Sequence, residues 1–195
     1  MKKIALTFST IVLLMLVGNA QERYTVNTVI SSLEWIGKKV TGQHQGVIDL
    51  KKGSYLFENG LITSGELIIN MQSIKITDIE DKEQNDKLKN HLVSSDFFSV
   101  EKQPTAQLTI VKSQKIDETR LKVTADLTIK GITKRIEFEV TLLIEGKKMV
   151  AIGEVDIDRT QFDIRYGSGS FIDNLGDKAI KDLFTIKFKV AALTK

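Results

Sequence analysis

Hydrophobic and polar positions alternate along much of the second half of the chain. Between residues 121 and 129 the odd positions are apolar, and the even positions are Lys, Thr or Asp. The same period of two recurs over 136–144, 149–157 and 184–190, with Leu143 as an apolar exception on the polar parity. Because successive side chains of a strand point to opposite faces, this pattern predicts four half-buried strands. The first two, which meet at Gly131, form a predicted hairpin.

The first half of the chain shows weaker signals of the same kind. Shorter or less regular alternation predicts further strands over residues 24–26, 31–40, 44–50, 61–70 and 106–110. Residues 77–92 are polar instead, with a capping-box pattern from Thr77 to Glu80 and with Lys87 and Lys89 near the far end. This stretch predicts a short surface helix across one end. About eight antiparallel strands with short connections indicate an all-β barrel or sandwich.

The apolar parity is compatible with three arrangements. A barrel of about eight strands either fills its interior or holds one small ligand, and an outer-membrane barrel turns its apolar side outwards. A filled core is the commonest meaning of an apolar stripe. The membrane barrel is disfavoured because aromatic residues make up only 7% of the chain, no aromatic girdle brackets the strands, and the chain ends in Thr194 and Lys195. We therefore expect the apolar parity to face inwards.

The first twenty residues have the features of a secretory signal peptide. Lys2 and Lys3 precede an apolar run from Ile4 to Val17. Small residues follow this run and lead to the expected cleavage point, which is after Ala20. The run is shorter than the roughly 20 residues that a spanning helix needs. The sequence therefore predicts a domain over 21–195 that is periplasmic or secreted and does not span a membrane.

Composition limits the kinds of partner, metal site and catalytic group that the chain can have. The full chain has 28 basic and 25 acidic residues; without Lys2 and Lys3, 26 basic residues remain against the 25 acidic ones, so no nucleic-acid partner is expected. The chain has no Cys, which excludes disulfides, thiol catalysis and lipid acylation of a cysteine. His44 and His91 lack metal-site spacing, Asp156 and Asp158 fit solvated strand ends, and 167–170 lacks the order of a nucleophile elbow. We predict no metal, no cofactor and no catalytic residues, and hence no enzyme.

Three segments resemble the YceI-like family, bacterial proteins that are similar to lipocalins and bind polyisoprenoid lipids. Residues 91–106 (HLVSSDFFSVEKQPTA) resemble the family's His-Leu-x-Ser-x-Asp-Phe-Phe segment with its following Pro-Thr-Ala. Residues 125–134 (ADLTIKGITK) resemble its Leu-Thr-Ile-x-Gly-x-Thr hairpin, and 157–164 (IDRTQFDI) its Asn-Arg-x-x-Phe-Gly-Ile segment. Asp158 and Asp163 stand where the family usually has Asn and Gly. The likeness extends over essentially the whole chain after residue 20.

The resemblance implies an antiparallel, up-and-down, lipocalin-like β-barrel whose apolar tunnel encloses an isoprenoid chain in the periplasm. Together with the inward apolar parity, it leads us to expect a protein that binds, and carries or stores, a polyisoprenoid or quinone-like lipid. An apolar wall suits such a ligand, since each buried CH₂ contributes about 0.8 kcal/mol. The residues expected to contact the ligand are Trp35, Leu67, Ile69, Phe97, Phe98, Leu108, Ile110, Leu127, Ile129, Phe138, Val140, Arg159, Phe162, Phe184, Ile186 and Phe188.

Several roles stay open at the level of sequence. Phe97 and Phe98 either plug the barrel mouth or touch ligand, and Arg159 and Arg165 either meet an anionic head group or are solvated at strand ends. His91 is expected to satisfy a backbone carbonyl. The alternative function is a structural or interaction barrel with a filled core and no ligand. A homodimer that covers an edge or a tunnel mouth is compatible with the pattern.

Overall fold

The computed structural model describes residues 21–195, so the predicted signal peptide lies outside the described residues. Within that range the chain forms nine strands and one helix. In chain order they are β1 (Glu22–Val26), β2 (Ser32–Lys39), β3 (Gly42–Glu58), β4 (Leu61–Ile76), α1 (Lys82–Val93), β5 (Thr105–Lys115), β6 (Arg120–Ile129), β7 (Ile132–Glu145), β8 (Lys148–Asp158) and β9 (Ile180–Thr194). A 3₁₀ turn, Arg159–Phe162, follows β8, and a second, Gly176–Lys178, precedes β9.

The strands close into an up-and-down barrel. From β2 to β9 each strand pairs antiparallel with the next, and β9 pairs back with β2, which gives eight positions around the ring. The short β1 continues the position of β2, because it too lies between β3 and β9 and pairs with both. The predicted antiparallel barrel of about eight strands with a short helix is confirmed.

The apolar parity faces the barrel interior. On β6 the side chains of Leu121, Val123, Ala125, Leu127 and Ile129 are all buried. The outward side carries cross-strand ion pairs instead, including Lys122–Glu137 and Asp126–Arg135, each 2.6 Å apart. Exposed pairs of this kind contribute less than about 1 kcal/mol each, so the interior carries most of the stability.

Two tight turns show why the hairpins form where they do. The predicted hairpin of β6 and β7 turns at Lys130 and Gly131, whose φ angles are 52° and 76°. The hairpin of β3 and β4 turns in the same way at Asn59 and Gly60, with φ angles of 53° and 80°. Two consecutive positive φ angles match the right-handed twist of the flanking strands, which is why glycine is favoured there.

The helix starts later than the capping box predicts. Asp81 is the N-cap residue, and its carboxylate accepts from the backbone N–H of Gln84 at 2.9 Å. Thr77 continues the sheet instead, since its N–H donates to the carbonyl oxygen of Gln45 at 3.0 Å. The predicted start at Thr77 is therefore wrong, because backbone pairing with β3 extends past Ile76.

No helix in residues 21–195 is long and apolar enough to cross a membrane.

One seam of the barrel is only partly paired. β7 pairs with β8 through Thr141–Glu145, against Lys148–Ile152, whereas β8 pairs with β9 along its whole length. Residues 132–140 of β7 and 153–158 of β8 therefore face each other without register pairs within the described chain. We call these two stretches the β7–β8 split.

Candidate functional site

The barrel encloses an apolar cavity of about 220 Å³. Its wall is built almost entirely from inward-facing aliphatic and aromatic side chains of β2 to β9, with Leu92 of α1 and Phe97 and Phe98 of the following turn closing over it. An interior of eight strands is wide enough for one small ligand when its side chains do not fill it. The cavity therefore decides between the two inward-facing arrangements in favour of an unfilled interior.

The two ends of the barrel differ. At the end with the β3–β4, β5–β6 and β7–β8 turns, which we call the hairpin end, buried core side chains fill the interior without lining the cavity; they are Tyr24, Leu121, Leu142, Met149 and Ala192. At the opposite end, which we call the helix end, the wall includes the exposed side chain of Lys181. Buried side chains thus bound the cavity at the hairpin end, and at the helix end its wall extends to the exposed residue Lys181.

Fifteen of the sixteen residues expected from the sequence lie in the cavity wall. Phe162 is the exception: it is 1% exposed, belongs to the core cluster and is not part of the wall. Its position in the 3₁₀ turn after β8 takes it off the strand parity from which it was chosen. That the other fifteen contact a ligand stays a prediction.

The wall also contains residues that strand parity did not single out. They include Tyr55 on β3, Met71 and Ile74 on β4, Leu92 on α1, and Lys181 on β9. The register of β3 against β4 shifts between Leu50 and Lys52, so the inward positions change from even to odd numbers before Tyr55. Alternation along the sequence does not locate this shift, so it does not place Tyr55 in the wall.

Phe97 and Phe98 follow α1 in a tight turn that brings both rings towards the cavity. The N–H of Phe98 donates to the carbonyl oxygen of Leu92 at 3.1 Å, which folds the turn back onto the helix. The ring of Phe97 lies 4.9 Å from that of His91, and the ring of Phe98 lies 6.3 Å from that of Phe184. Both side chains line the cavity at its helix end, in the position of a lid.

His91 supports this aromatic group rather than a carbonyl. Its ring meets the rings of Phe97 and Tyr166 edge-on, at 4.9 Å and 4.4 Å between centroids. The expectation that its side chain satisfies a backbone carbonyl is wrong for this structure. His44 lies apart and pairs with Asp78 at 2.9 Å. Residues 21–195 contain no group of three or more His, Asp or Glu side chains placed to hold a metal ion.

Arg159 lies in the wall, but its guanidinium is fully occupied by the protein. Its nitrogens donate to the carbonyl oxygens of Ile164, Tyr166, Ile180 and Lys181 at 2.7–3.1 Å and approach a carboxylate oxygen of Asp182 at 3.5 Å. These five contacts match the five N–H donors of the side chain. Burial lowers the pKa of Arg159, but an arginine keeps its charge near neutral pH. Arg159 therefore clamps the 163–181 segment to the barrel, and its N–H donors are all engaged by protein acceptors.

The two departures from the family pattern have local structural roles. The carboxylate of Asp158 caps the 3₁₀ turn, accepting from the N–H of Thr160 at 2.9 Å and from its hydroxyl at 2.6 Å. Asp163 ends that turn in the left-handed region, with φ 57°, which aspartate tolerates better than most residues. Its carboxylate pairs with Arg165 at 3.2 Å, and Arg165 also lies over the ring of Phe171. Neither aspartate lies in the cavity wall.

Tyr55 is the polar exception in the buried part of the wall. The side chain is 3% exposed, and its hydroxyl has no hydrogen-bond partner among residues 21–195. Its ring stacks on that of Tyr24 at 5.6 Å, with 9° between the planes. Burial raises the pKa of the Tyr55 phenol, so it stays protonated and able to donate. Leaving a buried hydroxyl unpaired costs about 1–3 kcal/mol, which makes this atom unusual.

The chain belongs to the YceI-like family, whose model, described as a YceI-like domain, matches residues 24–192. Among curated relatives, a UPF0312 protein of Pseudomonas putida strain W619 is 39% identical over 57 residues, which are 29% of this chain and 30% of that protein. A UPF0312 protein of Photorhabdus laumondii is 42% identical over 57 residues, 29% of each chain. The chain thus matches less than a third of the length of these relatives.

Solved structures share the fold. BcnA of Burkholderia cenocepacia superposes with a TM-score of 0.65 at 22% identity, over 85% of this chain and 98% of that one. A polyisoprenoid-binding domain from Saccharophagus degradans, implicated in plant cell wall breakdown, gives 0.64 at 13% identity, over 88% and 98%. The YceI protein of Campylobacter jejuni gives 0.55 at 21% identity, over 100% and 99%. At these identities the likeness establishes the barrel and not the ligand.

Proposed function

We propose that this protein binds a long-chain polyisoprenoid or quinone-like lipid inside the barrel and carries or stores it. The observation that carries the proposal is the apolar cavity, which buried side chains bound at the hairpin end and whose wall extends to the exposed Lys181 at the helix end. Its volume of about 220 Å³ exceeds the about 150 Å³ of an engineered apolar cavity that stays dry and takes up benzene. The Saccharophagus degradans neighbour, described as polyisoprenoid-binding, supports the choice of lipid class.

The wall chemistry favours a chain over a polar ligand. Water inside an apolar cavity finds few hydrogen bonds, so hydrocarbon replaces it at little cost. Each CH₂ that leaves water adds about 0.8 kcal/mol, and a chain of several isoprene units therefore binds through burial alone. A charged group would have to stay at the helix end, where Lys181 supplies a cation in place of Arg159.

We place this activity in the periplasm or outside the cell, after cleavage of the predicted signal peptide at Ala20. An apolar lipid that crosses an aqueous compartment needs its surface covered, which an unfilled barrel supplies. The binding role requires no catalytic group.

The experiment that tests the proposal is mass spectrometry on protein purified without detergent from its native compartment. Native spectra give the mass of any non-covalent complex, and spectra of the organic extract identify the lipid. A stoichiometric isoprenoid or quinone supports the proposal. A protein that is purified without lipid and does not bind added prenyl lipids would instead be the structural or interaction barrel without a ligand.

A matched pair of substitutions on β7 makes the test site-specific. Phe138 lines the cavity, whereas Leu143 points outwards and is 53% exposed. Phe138→Asp buries a carboxylate against the ligand chain, so we expect retained lipid to fall at least tenfold. Leu143→Asp places the same charge in solvent on the same strand and should retain lipid as the wild type does.

Circular dichroism and a urea midpoint establish that both variants fold before retention is compared. Leu127→Asp on β6 is a second cavity variant with the same expected loss, although Leu127 is more deeply buried than Phe138. A folded Phe138→Asp protein with undiminished lipid would exclude the cavity as the binding site.

A further inference from the structure

An exposed patch of apolar, aromatic and basic side chains borders the cavity at the helix end. Among the described residues, the only exposed aromatic side chains are Tyr166 and Phe171, and both belong to the segment between the first 3₁₀ turn and β9. A cluster of exposed apolar side chains marks an interaction site, whereas single ones are ordinary on a protein surface. The cluster, which we call the rim patch, consists of Val40, Tyr166, Phe171 and Ile172, with the exposed lysines Lys38, Lys39, Lys178 and Lys181.

Backbone hydrogen bonds hold the rim patch together. The N–H of Val40, in the turn between β2 and β3, donates to the carbonyl oxygen of Ala179 at 3.1 Å. The N–H of Ile180 donates to the carbonyl oxygen of Gly167 at 2.7 Å. Residues 168–172 form a turn in which two N–H groups donate to one carbonyl oxygen, at 3.2 and 3.0 Å. The β2–β3 turn and the segment before β9 are therefore fixed to each other as one surface.

The rim patch is continuous with the cavity wall. Lys181 belongs to both, and the ring of Tyr166 lies 5.9 Å from the ring of Phe97, which lines the cavity. Gly37, another wall residue, directly precedes two of the patch lysines, and a Cβ added there would have no neighbour within 4 Å. A molecule that covers the rim patch therefore lies against the part of the wall that extends to the protein surface.

The rim patch carries an excess of positive charge. None of its four lysines forms an ion pair within residues 21–195. The segment 163–182 also holds four aspartates, of which two are engaged: Asp163 pairs with Arg165 at 3.2 Å, and Asp182 accepts from the hydroxyl of Ser170 at 2.6 Å. The other two aspartates, at positions 173 and 177, offset two of the four lysines and leave two positive charges.

This composition suits a membrane surface better than a protein partner. Interfaces between proteins are enriched in aromatic residues and arginine but depleted in lysine. At the surface of a bilayer, aromatic rings lie at the level of the headgroups, and lysines extend their ammonium groups to anionic phosphates while their apolar stems stay in contact with the boundary. The rim patch combines these two kinds of side chain.

We infer that the rim patch docks the barrel on a lipid bilayer whose surface carries anionic headgroups. Tyr166, Phe171 and Ile172 enter the boundary between headgroups and acyl chains, and the lysines contact the phosphate groups. The cavity then faces the bilayer across its rim, so that a hydrocarbon chain moves between the two without crossing bulk water. This last step rests on the proposed function, whereas the docking itself does not.

Sedimentation with lipid vesicles tests the docking. The protein is the chain expected after cleavage at Ala20, and the probes are vesicles of phosphatidylcholine alone and of equimolar phosphatidylcholine and phosphatidylglycerol. We expect binding to the mixed vesicles to be at least about tenfold tighter, because only these vesicles attract the lysines. Added salt should weaken the binding, since counterions screen exposed charges.

A matched pair of double variants tests the role of charge. Lys39→Glu with Lys178→Glu reverses two lysines of the rim patch, and Lys147→Glu with Lys148→Glu reverses two exposed lysines at the hairpin end. A basic residue at an anionic surface strengthens binding about fivefold, so the first variant should bind mixed vesicles at least about 25-fold more weakly. The second makes the same change in net charge beyond the reach of screened charges, and should bind within about twofold of the wild type.

A second matched pair tests the apolar contact. Phe171→Asp and Leu143→Asp replace side chains that are exposed to the same extent, 52% and 53%, at the helix end and near the hairpin end. Phe171→Asp should weaken vesicle binding at least about tenfold, because the ring no longer leaves water, and Leu143→Asp should not. Ile172→Asp is a further rim variant with the same expected loss. All these side chains are exposed, so circular dichroism and urea midpoints should match the wild type.

The outcomes separate the docking from the proposed function. If the wild type binds neither kind of vesicle yet retains lipid, or if both members of each matched pair weaken vesicle binding equally, the inference fails and the lipid cavity stands. If the rim variants lose a cross-link to an envelope protein while vesicles stay unbound, the partner is a protein and the inference is overturned. If the wild type binds mixed vesicles through the rim patch but holds no lipid in the barrel, the docking stands and the proposed function fails.

Discussion

At the scale of single residues, Arg159 has a structural role that its place in the family motif does not reveal. The segment between the first 3₁₀ turn and β9 has little regular structure, so its carbonyl groups need partners from elsewhere. Arg159 supplies partners for Ile164 and Tyr166 within that segment and for Ile180 and Lys181 where β9 begins. One buried side chain thus holds the rim of the cavity to the barrel.

Replacing this guanidinium should therefore cost stability. Arg159→Lys keeps the charge but offers its three donors from a single point, which leaves some of the four carbonyls unpaired in a buried place. We expect the free energy of unfolding in urea to fall by about 2–4 kcal/mol with the m-value unchanged. Arg165→Lys, at an exposed position in the same segment, should change it by less than about 0.5 kcal/mol. Equal midpoints for the two variants would contradict the clamp.

At the scale of elements, α1 begins after Asp81, whose carboxylate caps it, and not at Thr77, where the capping-box pattern starts. The stretch 77–80 matches a capping box, yet β3 takes the backbone N–H of Thr77 and the side chain of Asp78. Partial burial tends to raise the pKa of Asp78, but hydrogen bonds from the Gln45 N–H and from His44 outweigh it, so the pKa lies below its ordinary value. Asp81, the residue directly before α1, caps the helix instead.

The two candidate caps are distinguishable by substitution. Asp81→Ala removes the acceptor for the N–H of Gln84 and should destabilise α1 by about 1 kcal/mol. Local amide exchange in residues 82–86 would then be about fivefold faster. Thr77→Ala, the substitution that the capping-box pattern singles out, should leave those amides unchanged. The assignment of the cap would be wrong if Thr77→Ala accelerated exchange and Asp81→Ala did not.

The same elements show how far the sequence predicts the structure. β6, β8 and β9 keep one parity throughout, so their alternation predicted both the strands and their inward faces. β3 and β4 run to 17 and 16 residues but shift register at several points, which divides their alternation into short pieces. Tyr55 lies beyond such a shift. Whether its hydroxyl has a hydrogen-bond partner among residues 21–195 depends on the folded surroundings and not on local sequence. Arg159 was found from the motif, but its bonding depends on carbonyls more than twenty residues away.

At the scale of the whole molecule, the barrel is not equally sealed around its circumference. β8 and β9 share eleven consecutive register pairs, Lys148–Asp158 against Leu183–Leu193, whereas the ladder of β7 and β8 has five. Residues on either side of the β7–β8 split, among them Ile136, Phe138 and Val155, also line the cavity. Among the seams formed by β2 to β9, the one between β7 and β8 therefore has the fewest register pairs.

Hydrogen exchange should reveal this asymmetry. In residues 132–140 the amides that point towards β6 are paired, and the alternate ones point into the split. We expect that alternate set to exchange at least tenfold faster than the amides of β8 that donate to β9, measured residue by residue with NMR. Uniformly slow exchange along β7 would mean that the split closes in solution.

The shared position of β1 and β2 between β3 and β9 sets when folding can finish. Tyr24 pairs with Thr194 and Leu33 with Phe188, so the ring joins residues from the two ends of the chain. Contacts between such distant residues form late and slowly, because the loop between them must close first. During synthesis β2 and β8 each keep an open edge until β9 has emerged. A nascent chain of this protein is thus an unclosed sheet until β9 is complete, and its unpaired edges are open to edge-to-edge association for that whole interval.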